Sequence, residues 1–145
     1  MNIDTPAIQA AYASVRAESS PENWLLLSYA SPTSDALTLT ATGSGGLEEL
    51  KTHLLDDQAQ YAYLRVEYAN DSESTRVKFA LIIWIGERTR VMRKAKVGFQ
   101  SGEVKKVLRH YSVQIDAGDR GDLVEGEVVV RCRKAGGADY NGGRG

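Results

Sequence analysis

The sequence of 145 residues holds one cysteine, Cys132, and two histidines, His53 and His110. A single thiol excludes an internal disulfide, which suits a reducing compartment. Two isolated histidines leave little from which to build a metal centre. His53-Leu-Leu-Asp-Asp57 has ligand-type residues, but neither an HExxH pattern nor a cysteine pair accompanies it. No run approaches the roughly 18 apolar residues that cross a bilayer. The start, MNIDTPAIQAAY, lacks a basic region followed by an apolar run, so no signal peptide is expected.

Catalytic signatures are equally scarce. Gly43-Ser-Gly-Gly46 lacks the GK[ST] of a phosphate loop. Gly98-Phe-Gln-Ser-Gly102 has the wrong spacing for a nucleophile elbow. Cys132 lies between Arg131 and Arg133, which would lower its pKa if they crowd it; otherwise it is a small buried side chain. Glu87 is a lone carboxylate without a partner for acid–base work. No enzyme activity, cofactor or metal is expected from these residues.

Charge is what the chain does have, and it is unevenly placed. The net charge is only −1. Residues 1–60 carry about −6, whereas Arg88 to His110 holds eight of the eighteen lysines and arginines against one acid, Glu103. Such polarisation points the cationic segment at an acidic partner. Within it, Val104, Val107, Leu108 and Tyr111 recur at helical spacing, with Lys105, Lys106 and Arg109 opposite. Val91, Met92 and Ala95 mark an earlier turn among Arg93, Lys94 and Lys96. Gly98 and Gly102 weaken the middle, and Ser101 is a candidate cap, so the segment reads as two helical pieces or one helix kinked near 98–102.

The remaining elements follow from periodicity. Ile3–Arg16 reads as a helix, capped by Thr5 with Pro6 at its first position. Trp24–Tyr29 and the alternating Ala36–Thr42 form a hairpin around the Ser31–Asp35 turn. Leu47, Leu50, Leu54 and Leu55 place a short helix over 46–55. Gln60–Ala69 alternates, with Tyr61, Tyr63, Arg65 and Glu67 on one side and Ala62, Leu64, Val66 and Tyr68 on the other. Arg76–Gly86 is a central strand buried on both faces. Ser112–Ile115 is a strand reached by a helical crossover, hence parallel to its predecessor. The segment 122–134 fits strand or helix equally well, and the five glycines of 135–145 read as a loose tail. The sum is an α+β domain over 1–134, with a mixed five-stranded sheet between helices.

A nucleic-acid reading of the cationic helix, with Phe99 and Tyr111 as stacking rings, lacks any RNP, KH or C2H2 pattern and is not expected. An acidic protein filament is an equally good electrostatic target.

Lys78-Phe-Ala-Leu-Ile-Ile-Trp-Ile-Gly-Glu87, followed by Arg93-Lys-Ala-Lys-Val-Gly98, resembles the coactosin branch of the actin-depolymerising-factor homology (ADF/cofilin) family. So do Ile3-Asp4, Ala10-Ala-Tyr12 and Val15-Arg16, and the Lys134-Ala-Gly-Gly-Ala-Asp-Tyr140 segment. The resemblance implies the five-stranded mixed sheet with helices on both faces, and a helix over 122–133. It also implies a cytoplasmic, cytoskeleton-associated protein without enzymatic activity, which binds actin filaments along their side, binds monomers poorly and does not sever strongly. By the same resemblance, Lys78 matches the lysine used for filament binding and the long helix 90–110 matches the element that docks on actin; with the basic residues around them, the expected actin-binding set is Arg76 and Lys78 at the strand start, and Arg93, Lys94, Lys96, Lys105, Lys106 and Arg109 on the long helix. Lys134 matches a lysine through which some relatives bind a lipoxygenase, a second partner. At Ser101 the branch carries a lysine, and at Lys106 it often carries an acid. A cofilin-like depolymerising factor and a phosphoinositide or nucleic-acid binder using the same stripe are the alternatives.

Overall fold

The structure is a computed structural model, and it describes residues 2–71 and 74–141, with side chains described as far as residue 136. The elements run α1 (Pro6–Arg16), β1 (Trp24–Tyr29), β2 (Leu37–Gly43), α2 (Gly46–Lys51), β3 (Ala59–Ala69), β4 (Thr75–Ile85), α3 (Val91–Val107), β5 (Val113–Ala117), a 3-10 turn (Arg120–Asp122) and α4 (Glu125–Asn141). The strands form one sheet in the order β2-β1-β3-β4-β5. Three pairs are antiparallel, and β4 with β5 is parallel, as the α3 crossover requires.

The period-two pattern of β3 divides the core. Ala62, Leu64, Val66 and Tyr68 face α2 and α4, packing with Leu47, Leu50, Val128 and Cys132. Tyr61 and Tyr63 face α1 and α3, packing with Ile8, Tyr12, Val97 and Val104. On β4 the even positions Ala80, Ile82 and Trp84 join the first cluster, and Phe79, Leu81 and Ile83 join the second. Both central strands are therefore buried on two faces. The α+β fold with a mixed five-stranded sheet is as the sequence reading anticipates.

Several local readings hold and others shift. Thr5 caps α1 through its hydroxyl, which accepts from the Ile8 N–H, and Pro6 opens the helix. The second helix is shorter than 46–55: it stops at Lys51, although Leu54 is still buried, while Leu55 faces solvent. Gly46 has φ +69°, the left-handed conformation glycine adopts at no steric cost. Within the cationic segment Val91–Val107 forms one continuous helix, α3, which leaves Arg109 beyond its C-terminal end rather than on its face, and a Cβ added at Gly98 or Gly102 would meet nothing within 4 Å. Those glycines thus face open space, and the helix carries their propensity cost rather than breaking. The ambiguous 122–134 segment is helical from Glu125 onward, with Asp122 closing the 3-10 turn before it, and α4 continues through residues 135–141 of the stretch that composition reads as tail, residues 142–145 lying outside the described residues. Burial of Val128 and Cys132 against β3, β4 and β5 decides the matter. Among the described residues, no helix is long and apolar enough to cross a membrane.

Candidate functional site

The expected basic residues fall into two groups, separated by the sheet. By alternation along β4, Arg76 and Lys78 share the α4 side with Ala80 and Ile82. Arg76 is exposed and lies opposite Tyr68 in the strand register. Lys78 is half-buried rather than free at a strand end. Its ammonium lies 3.8 Å from where a Cβ on Gly136 would stand, so the side chain runs against α4. Around the same point Arg133 places its guanidinium 5.3 Å from the Tyr68 ring centroid and donates to the Ala69 carbonyl at 3.0 Å. Arg131, Arg133 and Lys134 are exposed on α4. The α4 arginines Arg131 and Arg133 belong to this basic group and are not among the residues expected from the sequence, because periodicity alone leaves 122–134 open between strand and helix.

The α3 group is more selective than its composition suggests. Arg93 is committed internally. Its guanidinium stacks 3.6 Å from the Tyr29 ring centroid, pairs with Asp35 at 3.5 Å, and donates to the carbonyls of Ser31, Pro32 and Ser34. Its side chain retains only 10% exposure, so it latches the β1–β2 turn rather than facing a partner. Lys96 also bonds Asp35, at 3.1 Å, but stays partly open to solvent. The Gln100 amide and the Lys96 ammonium hold the Asp35 carboxyl below the usual carboxylate range. Lys94 and Arg109 are exposed, and Lys105 is half-buried. Lys106 pairs with Glu103 at 3.3 Å in an open setting, where such a pair contributes little and leaves the ammonium available.

The outward face of α3 also carries an apolar element. Val91, Met92 and Phe99 are 78%, 72% and 71% exposed. Met92 and Phe99 stand seven residues apart with Ala95 between, so they share one ridge of the helix. The inward face is anchored by Val97 and Val104, with Leu108 just beyond the helix end, and Gln100 accepts from the Tyr29 hydroxyl at 2.7 Å. Ser101, where a lysine was the family expectation, is buried and offers no contact. Periodicity alone marks Met92 and Phe99 as off the buried stripe, and that signal is legible once the register of Val97 and Val104 is fixed.

Cys132 is fully buried. Burial pushes its thiol up, and this outweighs the opposing pull of Lys78 and Arg131. The flanking arginines do not activate it.

A family model for cofilin/tropomyosin-type actin-binding proteins matches residues 1–133. The chain belongs to that family. Within it, the chain is similar to coactosins. It is 35% identical to coactosin of Dictyostelium discoideum over 144 residues, which is 99% of this chain and 97% of that protein. Crystal structures of human coactosin-like protein superpose with a TM-score of 0.82 at 29% identity, covering 92% of this chain and 98% of theirs. The solution structure of mouse coactosin, an actin filament binding protein, matches with a TM-score of 0.76 at 31% identity, over 98% and 96% of the two chains. The actin-binding, ADF-homology character anticipated from the Lys78–Glu87 strand and its flanks is thereby established.

Proposed function

We propose that this chain binds the side of actin filaments in the manner of a coactosin, as a cytoplasmic, cytoskeleton-associated protein acting by binding and not by catalysis. The observation that carries the reading is the outward face of α3. There, Val91, Met92 and Phe99 stand exposed, with Lys94 and Lys106 exposed on the same helix and Arg109 exposed just beyond its end. Large apolar side chains left in water on an otherwise well-buried fold mark an interaction surface. The cations around them supply steering toward an acidic partner. In this reading Met92 and Phe99 fix the register, while the lysines set the on-rate and its salt dependence.

The second group is Arg76, Lys78 and Arg133 with Lys134, on the α4 side of the sheet. It gives the same rigid domain a second basic surface, suited to a polymer that offers more than one subunit. Arg93 is left out of the contact set, since its guanidinium is already spent on the β1–β2 turn. The test is co-sedimentation with filaments beside a monomer-binding assay. Pelleting with weak monomer binding supports the reading. Tight monomer binding with accelerated disassembly replaces it with a depolymerising factor, and capture by phosphoinositide vesicles alone replaces it with a membrane-surface reading.

A further inference from the structure

Each of the chain's three prolines follows a hydroxyl residue: Thr5-Pro6, Ser20-Pro21 and Ser31-Pro32. The structure treats the three differently. The Thr5 hydroxyl caps α1. The Ser20 hydroxyl is half-buried, bonded to Ser14 at 2.7 Å and to the Glu22 N–H at 3.3 Å. Ser31 is exposed, and its hydroxyl makes no hydrogen bond among the described residues. It opens a β-turn closed by the Ser34 N–H on the Ser31 carbonyl at 3.2 Å, with Pro32 and Thr33 exposed beside it.

That turn is the one latched to α3. The Ser31 carbonyl accepts from Arg93 at 3.2 Å, and Asp35 at the end of the turn holds Arg93 and Lys96. We propose that Ser31 is a phosphorylation site for a proline-directed protein kinase, and that the phosphate regulates the α3 face through Arg93 and Lys96. The effect on binding rests on the filament-binding reading above; the modification itself does not. In the step, the Ser31 hydroxyl oxygen bonds to the γ-phosphorus of ATP, the β–γ bridging bond breaks, ADP leaves, and the hydroxyl proton passes to solvent. The product places a charge of about −1.5 to −2 beside two cations of α3. The dianion attracts the Arg93 guanidinium that already bonds the Ser31 carbonyl, and its field offsets the cationic face that meets an acidic partner.

The test treats the full chain with a proline-directed kinase and ATP, maps the site by mass spectrometry, and compares the wild type with Ser31→Ala. Modification at Ser31, absent from Ser31→Ala and absent from Ser20, is expected. The side-chain Nε resonance of Arg93 should shift on phosphorylation, with no loss of melting temperature. Filament affinity should fall by about three- to tenfold, the scale of one or two partly screened charge pairs. Failure of the folded protein to accept phosphate at Ser31 overturns the proposal, and so does modification that leaves both the Arg93 resonance and the affinity unchanged. If unmodified protein fails to pellet while the Arg93 resonance still responds, the filament reading fails and the phosphorylation site stands.

Discussion

Arg93 lies with its guanidinium 3.6 Å from the centroid of the Tyr29 ring, and this contact joins the C-terminal end of β1 to the first half of α3. The same side chain satisfies three carbonyls of the Ser31–Asp35 turn, while Tyr29 donates to Gln100 and bonds Tyr61 at 2.9 Å. One arginine thus sets where α3, and with it Met92 and Phe99, sits against the sheet. Arg93→Ala is expected to lower stability by about 2–3 kcal/mol, from the lost cation–π contact and the stranded turn carbonyls. Arg93→Lys should recover little of it, because an ammonium lacks the planar fork. Urea denaturation of both variants is the check; a lysine variant as stable as the wild type would show the fork to be unimportant.

Asp35 gives the same latch a pH dependence. Its carboxyl is held below the ordinary value, so its contribution is present above about pH 4 and is lost as pH falls through the depressed folded value. Asp35→Asn should therefore melt below the wild type at neutral pH, with the gap closing in acid. A constant difference from pH 7 to pH 2 would place the effect elsewhere than in the carboxylate.

In the proposed reading Lys78 serves binding more than folding. Its charge is half-buried against α4 near Gly136, and the Tyr68 hydroxyl lies by the same point. Lys78→Met, which keeps the apolar stem, should weaken filament binding by about three- to tenfold with little change in stability. Arg133→Met should do the same if the α4 group acts as one surface. Unchanged pelleting by both variants would remove this group from the contact set.

Thr89 offers a test of packing just before α3. It is 5% exposed, and its hydroxyl is the one buried side-chain polar atom without a partner among the described residues. Thr89→Val keeps the shape and removes the unsatisfied group, so a gain of about 1 kcal/mol is expected by chemical denaturation. A loss would mean the hydroxyl is solvated or bonded in solution.

Much of the fold was legible before any coordinates. Alternation in β3 named both faces correctly, since Tyr61 and Tyr63 do face away from Ala62 and Leu64. Thr5-Pro6 marked the start of α1, and the apolar run of β4 marked the centre of the sheet. The segment 122–134 was legible only through the family resemblance: periodicity left it open because Val128-Val-Val130 favours a strand locally, and the burial of Val128 and Cys132 against the sheet goes with the helical outcome. The site was half legible. Charge clustering located α3, but charge alone cannot tell an exposed Lys94 from an Arg93 folded onto a turn about sixty residues earlier. Nor could it bring Arg133 to Tyr68, a contact across 65 positions that depends on α4 being a helix.

The central claim is that a cationic, partly apolar α3 face holds this domain on polymerised actin. The most direct measurement is co-sedimentation with F-actin at ionic strengths from about 50 to 200 mM, for the wild type and for Met92→Ser/Phe99→Ser. The wild type should pellet at low salt and progressively less as screening rises, and the double variant should pellet at least tenfold more weakly while keeping its fold. Wild-type protein that stays in the supernatant at 50 mM salt, or a double variant that pellets like the wild type, would contradict the account.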